Sequence, residues 1–449
     1  MDTLITIGQL LLGLSILVAL HEFGHFLPAK LFGMRVEKFF LFFDAPYALF
    51  KRKVGETVYG IGSLPFGGYV KISGMIDESM DKEQKERLRK PPEPWEFRAK
   101  PVWQRLVVML GGVTVNAILG FLIYALVMFT WGREYIALDK LPYGIDASAL
   151  MERQGFRDGD RIVEMPGFHP RTVGDVSIAM LIDDARHVVV ERADGRHDIL
   201  LPATIHDSIM ESGDKLQLGV RIPFFIDSVM PGTCADSARS FRRGDRVLAV
   251  DGAPTPFFGD FVSAVGARKG GRVEVMVARE GHQVHIPVNV DAEGRVGLKP
   301  RPLDSIPAMN EAIVRERYGL LSSIPAGLSF GWEQLRLNVV SFKLLFRRSG
   351  VKQMGGLGSM AKAYGAHWDW QHFWQTTAFL SFALAFLNVL PIPALDGGHV
   401  VFLLYEWVAR RPAPQKVLEY AQMAGMVFLL TVIVAVNGHD IYKWITNSW

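Results

Sequence analysis

Four uncharged apolar runs decide what this chain can become. Thr3–Leu20, Leu106–Trp131, Phe373–Leu395 and Tyr420–His439 hold 18, 26, 23 and 20 residues without Asp, Glu, Lys or Arg. A helix needs about 20 such residues to cross a hydrocarbon core of about 30 Å. The pattern predicts a polytopic α-helical membrane protein with four transmembrane helices. The first run lacks a basic leader and a small-residue cleavage site, and Asp2 stands where Lys or Arg would be expected, so it reads as a retained helix rather than a signal peptide. Gly111 and Gly112 in the second run permit close helix contact.

Positive charge in the short loops gives a direction. Residues 28–105 carry 15 Lys or Arg, and Arg410, Arg411 and Lys416 follow the third run. Both stretches belong in the cytoplasm, which puts both termini and roughly 133–370 outside it. A net charge of +3 is too small for a polyanion binder, so nucleic acid is not an expected partner. The single Cys234 can form no intramolecular disulfide and no cysteine-based zinc motif, so a metal site here must use His and carboxylates.

Such a site is written at the far end of the first run. In His21-Glu22-Phe23-Gly24-His25 the two histidines stand four apart, on one face of a helix, where both can reach one zinc ion with Glu22 beside them. A hydrogen-bonded histidine pair is the plain alternative. Ionisable groups ending an apolar span are costly, however, and are kept mainly for function. A catalytic zinc usually takes three protein ligands, and the third run ends on a carboxylate, Asp396, in Asn388-Val389-Leu390-Pro391-Ile392-Pro393-Ala394-Leu395-Asp396-Gly397-Gly398-His399. The prolines break the helix and the glycines let the chain turn back. Irregular backbone at that depth must be buried or line a wet cavity. Both segments descend about 27 Å before reaching their ligands if they run in the same direction. The implied chemistry is zinc-assisted hydrolysis with Glu22 as the base. His399 is either a partner to a ligand or structural, and Asn388 either stabilises an oxyanion or caps the broken helix.

A peptide bond inside a transmembrane helix must unwind before it can be cut. Glu56–Ile61 and Gly68–Ile72, flanking Gly62–Gly67, read as a hairpin or small sheet whose edge is able to take up a substrate strand, or one that only packs on the bundle. Farther on, Gly155–Val163 (GFRDGDRIV) recurs 85 residues later as Ser240–Leu248 (SFRRGDRVL), with Gly167 and Gly252 at matching offsets, which predicts two similar compact α+β domains. Residues 318–346 are apolar but interrupted by Glu333, Arg336 and Lys343, and read as amphipathic helices on the outer membrane surface. The expected division is 1–30, first span with the zinc motif; 31–103, cytoplasmic loop with the β element; 104–132, second span; 133–220 and 221–303, the two repeats; 304–370, surface helices; 371–409, third span; and 417–445, fourth span.

On His21–His25, Leu64-Pro65-Phe66-Gly67-Gly68-Tyr69-Val70-Lys71, Asn388 with Pro391 and Pro393, Leu395-Asp396-Gly397-Gly398 and the Gly-Asp-Arg repeats, the chain resembles the site-2 protease family of intramembrane zinc metalloproteases. The likeness is to its RseP-type (sigma-E regulator) bacterial members and runs along essentially the whole length. The resemblance implies Zn2+ held by His21, His25 and Asp396, Glu22 as base, and a membrane-reentrant β element contributing Gly67, Gly68 and Tyr69. It also implies that Asn388, Pro391 and Pro393 handle unwound substrate, and that the repeats are extracytoplasmic PDZ-like domains that exclude untrimmed substrates. Expected partners are the lipid bilayer and single-pass membrane proteins such as anti-sigma factors and signal-peptide remnants, met by a monomer in the bacterial inner membrane. The chain departs from many relatives at Leu41-Phe42-Phe43-Asp44-Ala45-Pro46, where they carry Gly-Phe-Gly, at Pro28, and in the charged stretch Asp77 to Lys100. Two other function classes compete: a non-catalytic scaffold binding protein C-termini, and a zinc transporter, which would need more polar groups along its spans.

Overall fold

The computed structural model describes residues 2–75, 90–205, 208–209, 217–345 and 355–445. Residues 77–89 of the charged stretch lie outside the described residues. The chain forms two compact units, one of Met1–Gly132 with Arg317–Trp449 and the other of Arg133–Glu316.

The first unit is a helix bundle with one sheet. Its helices are α1 (Asp2–Leu31), α2 (Val102–Thr130), α3 (Leu320–Leu345), α4 (Leu357–Tyr364), α5 (Trp370–Val389), α6 (Asp396–Ala409) and α7 (Gln415–Ile445). Among the described residues three are long and apolar enough to cross a membrane: Thr3–Leu31, Val102–Thr130 and Lys416–Ile445. The expected third span does not join them. Gln371, His372, Gln375, Thr376, Thr377 and Ser381 dilute the hydropathy of α5, and the chain breaks after Val389. Two of these polar side chains are satisfied inside the bundle: Thr377 Oγ1 donates to Phe373 O at 2.8 Å and meets Tyr364 Oη, and Ser381 Oγ donates to Asn116 O at 2.7 Å. Leu122 and Leu126 on α2 and Val427, Phe428 and Val434 on α7 turn outward, exposed apolar faces that suit lipid.

Helix α2 is the spine. Gly24 of α1 and Gly111 of α2 abut so closely that a Cβ on either would lie 2.4 or 2.0 Å from the other's carbonyl oxygen, the close approach expected of small residues. Contacts of Gly24 with Gly111 and of His25 with Val108 set α1 antiparallel to α2. Ser381 against Asn116 and Gln375 against Tyr124 do the same for α5. Helices α1 and α5 therefore run in the same direction, the condition on which the depth argument rests. In place of surface segments, 320–345 is one helix packed antiparallel along α2, with Gly327 on Ala125 and Gly331 on Phe121. Phe330, edge-on to Tyr124 at 5.1 Å, and Leu335 join these small residues in the contact.

The sheet is built from Val36–Val54 (β1) and Thr57–Ile72 (β2). The two flanking segments join one small sheet, as one of the two readings has it, but they do not pair with each other as a hairpin. Residues 38–41 lie between them, pairing with 58–61 on one side and 68–71 on the other, while 50–54 close a turn onto 57–61. The aromatic run Phe39–Phe43 had not been read as a strand, and it takes the central place because Phe40 is fully buried, stacked on Tyr69. Residues 68–72 thus form an edge.

The second unit holds two domains of the same construction, with separate cores around Phe156, Ile162 and Val190 and around Phe241, Val247 and Val277. Each runs short helix, Gly-Asp turn, strand, longer helix and antiparallel hairpin: 149–153, 161–164, 173–182 and 187–200 in the first, and 234–238, 246–250, 258–266 and 272–289 in the second. The repeated aspartates explain the repeated sequence. Asp160 accepts from Arg192 through both carboxylate oxygens, at 2.6 and 2.8 Å, and caps the turn at the Arg157 N–H. Asp245 does the same with Arg279, at 2.8 and 2.7 Å, and with the Arg242 N–H. Both aspartates are almost wholly buried, and each arginine also donates to the carbonyl that opens its turn, Gly155 or Ser240.

Candidate active site

Three side chains from two distant stretches of sequence converge in the bundle. Helical spacing stacks His21 and His25 on one face of α1, with Nε2 atoms 3.2 Å apart. Asp396 is the first residue of α6, delivered by the break after α5. Gly397 and Gly398 make that turn possible, since a Cβ on them would lie 2.2 Å from Leu390 O and 2.6 Å from Ile392 O. Asp396 Oδ2 lies 3.2 Å from His21 Nε2 and 3.3 Å from His25 Nε2.

This triangle fits a zinc ion. Tetrahedral ligands with zinc bonds of about 2.0–2.1 Å are separated by roughly 3.3–3.4 Å, close to all three separations here. Asp396 Oδ2 is also buried without a hydrogen-bond partner, although it sits among ring nitrogens, an orphan that a cation at the centre would satisfy. Two α2 groups hold the rings from behind: Val108 O is 2.8 Å from His25 Nδ1, and the Asn116 amide is 3.2 Å from His21 Nδ1. Gly112 fills the space beneath, where a Cβ would fall 2.5 Å from His25 Nε2. Farther along, Arg105 of α2 grips Glu406 of α6 through both nitrogens, at 3.0 and 2.5 Å, and ties the Asp396 helix to the same spine.

A cavity of about 710 Å³ opens on these groups. His21, Glu22 and His25 line it with Gly67, Gly68, Tyr69, Asn116, Asn388, Asp396 and His399. The edge strand reaches the motif, for a Cβ on Gly68 would meet Val18 at 2.8 Å and Glu22 Cγ at 3.3 Å. The Asn388 amide lies 3.4 Å from His21 Nε2, and His399 Nε2 contacts the Gln422 side chain at 3.2 Å. Pro391 and Pro393 are not among the lining residues; the Pro393 carbonyl packs instead on Gly425 of α7. Lys38 and Asp44 line the cavity as an ion pair at 2.9 Å, with Lys38 also donating to Tyr69 Oη at 3.1 Å. Asn116 and this pair were missed from sequence. An isolated amide inside an apolar run is the available signal for Asn116, and Asp44 falls in the stretch Leu41–Pro46 where the chain departs from many relatives.

Comparison with known proteins agrees with this geometry. The model of peptidase family M50 matches residues 9–432. The regulator of sigma-E protease RseP of Escherichia coli K12 is 28% identical, over 95% of this chain and 96% of its own length. The regulator of sigma E protease of Salmonella typhimurium LT2 is likewise 28% identical over 95% and 96%. A Vibrio cholerae protein named for zinc metalloprotease activity is 27% identical, again over 95% and 96%. A scaffold or a transporter is thereby set aside: the chain belongs to peptidase family M50 and is a membrane zinc metalloprotease of the RseP-like, site-2 type.

Proposed function

We propose that His21, His25 and Asp396 hold the zinc ion, that Glu22 is the general base, and that the chain cuts transmembrane segments of single-pass membrane proteins already trimmed by another protease. Anti-sigma factors and signal-peptide remnants are the expected substrates. The observation that carries the reading is the convergence of two imidazoles and a carboxylate, at tetrahedral-edge spacing, among helices with apolar outer faces. Bound zinc supplies an activated water and polarises the scissile carbonyl. Glu22, beside it in the cavity, takes the water's proton and passes it to the leaving amine. The edge at 68–72 accepts the unwound substrate by strand addition, with Asn388 holding its backbone. Pro391 and Pro393 act indirectly, by keeping the segment before Asp396 out of the helix.

In this reading α5 crosses the membrane as a fourth span whose polar face is covered by α2 and α4. Both termini and the 133–316 unit lie outside the cytoplasm of a bacterial inner membrane. The two repeats act as PDZ-like domains that exclude substrates with bulky outer domains. The protein works as a monomer. The test is Glu22→Gln in purified full-length protein, which should keep zinc at one equivalent and lose cleavage of a single-pass substrate. Full activity in that variant excludes the mechanism.

A further inference from the structure

Two imidazoles that bind a metal through Nε2 must carry their protons on Nδ1, and each such proton needs an acceptor. For His25 the acceptor is fixed by the backbone, because Val108 O can only accept. For His21 the group at Nδ1, among the described residues, is the side-chain amide of Asn116, 3.2 Å away. We propose that Asn116 is a positioning residue for the reaction: its amide oxygen accepts the Nδ1–H of His21, locking the ring in the tautomer and orientation that presents Nε2 to the metal.

Asn116 is wholly buried, and among the described residues its other amide end has no partner. An amide can be turned by 180° without moving its neighbours. With the nitrogen toward Nδ1, a donor faces the donor of a metal-ready histidine, and a buried acceptor is left unpaired. With the oxygen toward it, the contact becomes a hydrogen bond. The unpartnered end is unpartnered either way, so His21 decides the orientation. Gly112, one turn earlier on α2, packs under both rings, so the amide and the imidazoles meet on one close-packed face. The spine helix thus supplies an acceptor to each histidine, one from main chain and one from side chain, eight residues apart.

This inference rests on the metal reading of His21, His25 and Asp396, and its test separates the two. The full-length protein in detergent is stripped of metal, and its zinc dissociation constant is measured by chelator competition, with the visible spectrum of the cobalt-loaded form as a second readout. Asn116→Ala should weaken zinc by about 10- to 100-fold, the usual cost of losing such a partner, and should shift the cobalt bands. Asn116→Asp keeps an acceptor and should stay within about threefold of the parent. Ser381→Ala, which cuts the tie through the Asn116 carbonyl but not the amide contact, should leave zinc binding unchanged. Unaltered zinc affinity in Asn116→Ala overturns the proposal, as does an equal loss in Ser381→Ala, which would mark a packing role. If Asn116→Ala does not fold, Asn116→Asp decides: a tenfold loss there also overturns it. Retention of zinc by His21→Ala would instead sink the metal reading itself.

Discussion

Alanine at Gly112 pits two effects of opposite sign against each other. In a helix interior, alanine is favoured over glycine by about 1 kcal/mol, so on propensity alone Gly112→Ala should stabilise α2. The added Cβ, however, would lie 2.5 Å from His25 Nε2, 2.6 Å from His21 Cε1 and 2.8 Å from His21 Nε2. Ordinary contact begins near 3.4 Å, so the overlap on His25 is about 0.9 Å, and it falls on the atom that faces Asp396. The rings cannot retreat freely, since Val108 and Asn116 hold them from behind and Gly24 already touches Gly111. A displacement near 1 Å at a reacting centre costs on the order of 100-fold in rate, or about 2.7 kcal/mol. We expect Gly112→Ala to fold and insert as the parent does, and to lose about 100-fold in cleavage rate together with part of its zinc. The assay is cleavage of a single-pass substrate in detergent, with zinc counted by atomic absorption. Gly8→Ala is the control: it sits in α1 with open space around its Cβ position and should be neutral. Activity and zinc within threefold of the parent in Gly112→Ala would refute the tight-packing argument.

The Asp–Arg clasps of the second unit should be worth about 3–5 kcal/mol each when one partner is removed, so Arg279→Ala should raise amide exchange across 224–298 and leave the first repeat protected. Asp146 shares one guanidinium, Arg221, with Asp158 and Asp260, and burial, then its carboxylate neighbours, push its carboxyl up to about 6. A raised carboxyl favours folding while protonated, so this stability is full below about pH 4 and is lost as pH climbs to 6. Asp146→Asn should therefore slow exchange in the 133–316 unit of the whole protein above pH 6, by on the order of 1–3 kcal/mol, and match the parent near pH 4. Identical profiles would rule this out. Deleting 135–303 should let the enzyme cut untrimmed substrates, and unchanged discrimination would dismiss a gating role for the repeats.

Much of the centre was legible because its signals are chemical. Two histidines four apart at the end of an apolar run, and one carboxylate beside a double proline break, leave few arrangements once charges in lipid are counted as costly. The repeat was legible because each Gly-Asp turn must serve a buried clasp. Pairing in the sheet was not: Phe39–Phe43 has strand composition, but nothing local specifies that it separates two later strands, a choice made by burial of Phe40. The helix at 320–345 was harder to place for a related reason, since its charges suggest a wet face, while Gly327 and Gly331, which hydropathy barely registers, let it lie close along α2 beside Phe330 and Leu335. Asn116 was hidden in the same way. In an apolar span an amide reads as a minor blemish, and only its proximity to His21 gives it meaning.

Within the second unit, Arg133–Ile136 pairs antiparallel with Ile313–Glu316. Within the first, Arg317 Nη1 reaches back to Trp131 O at 2.7 Å. The chain therefore departs from the bundle and returns to it at almost one point, through two strands about 5 Å apart. The intervening unit, Arg133–Glu316, thus begins and ends in neighbouring strands. Any foreign domain whose own ends lie side by side could be spliced in its stead, and a bridge of a few residues would close the gap. Such exchange would let the 133–316 unit be replaced while the residues of the bundle's hydrolytic site stayed untouched.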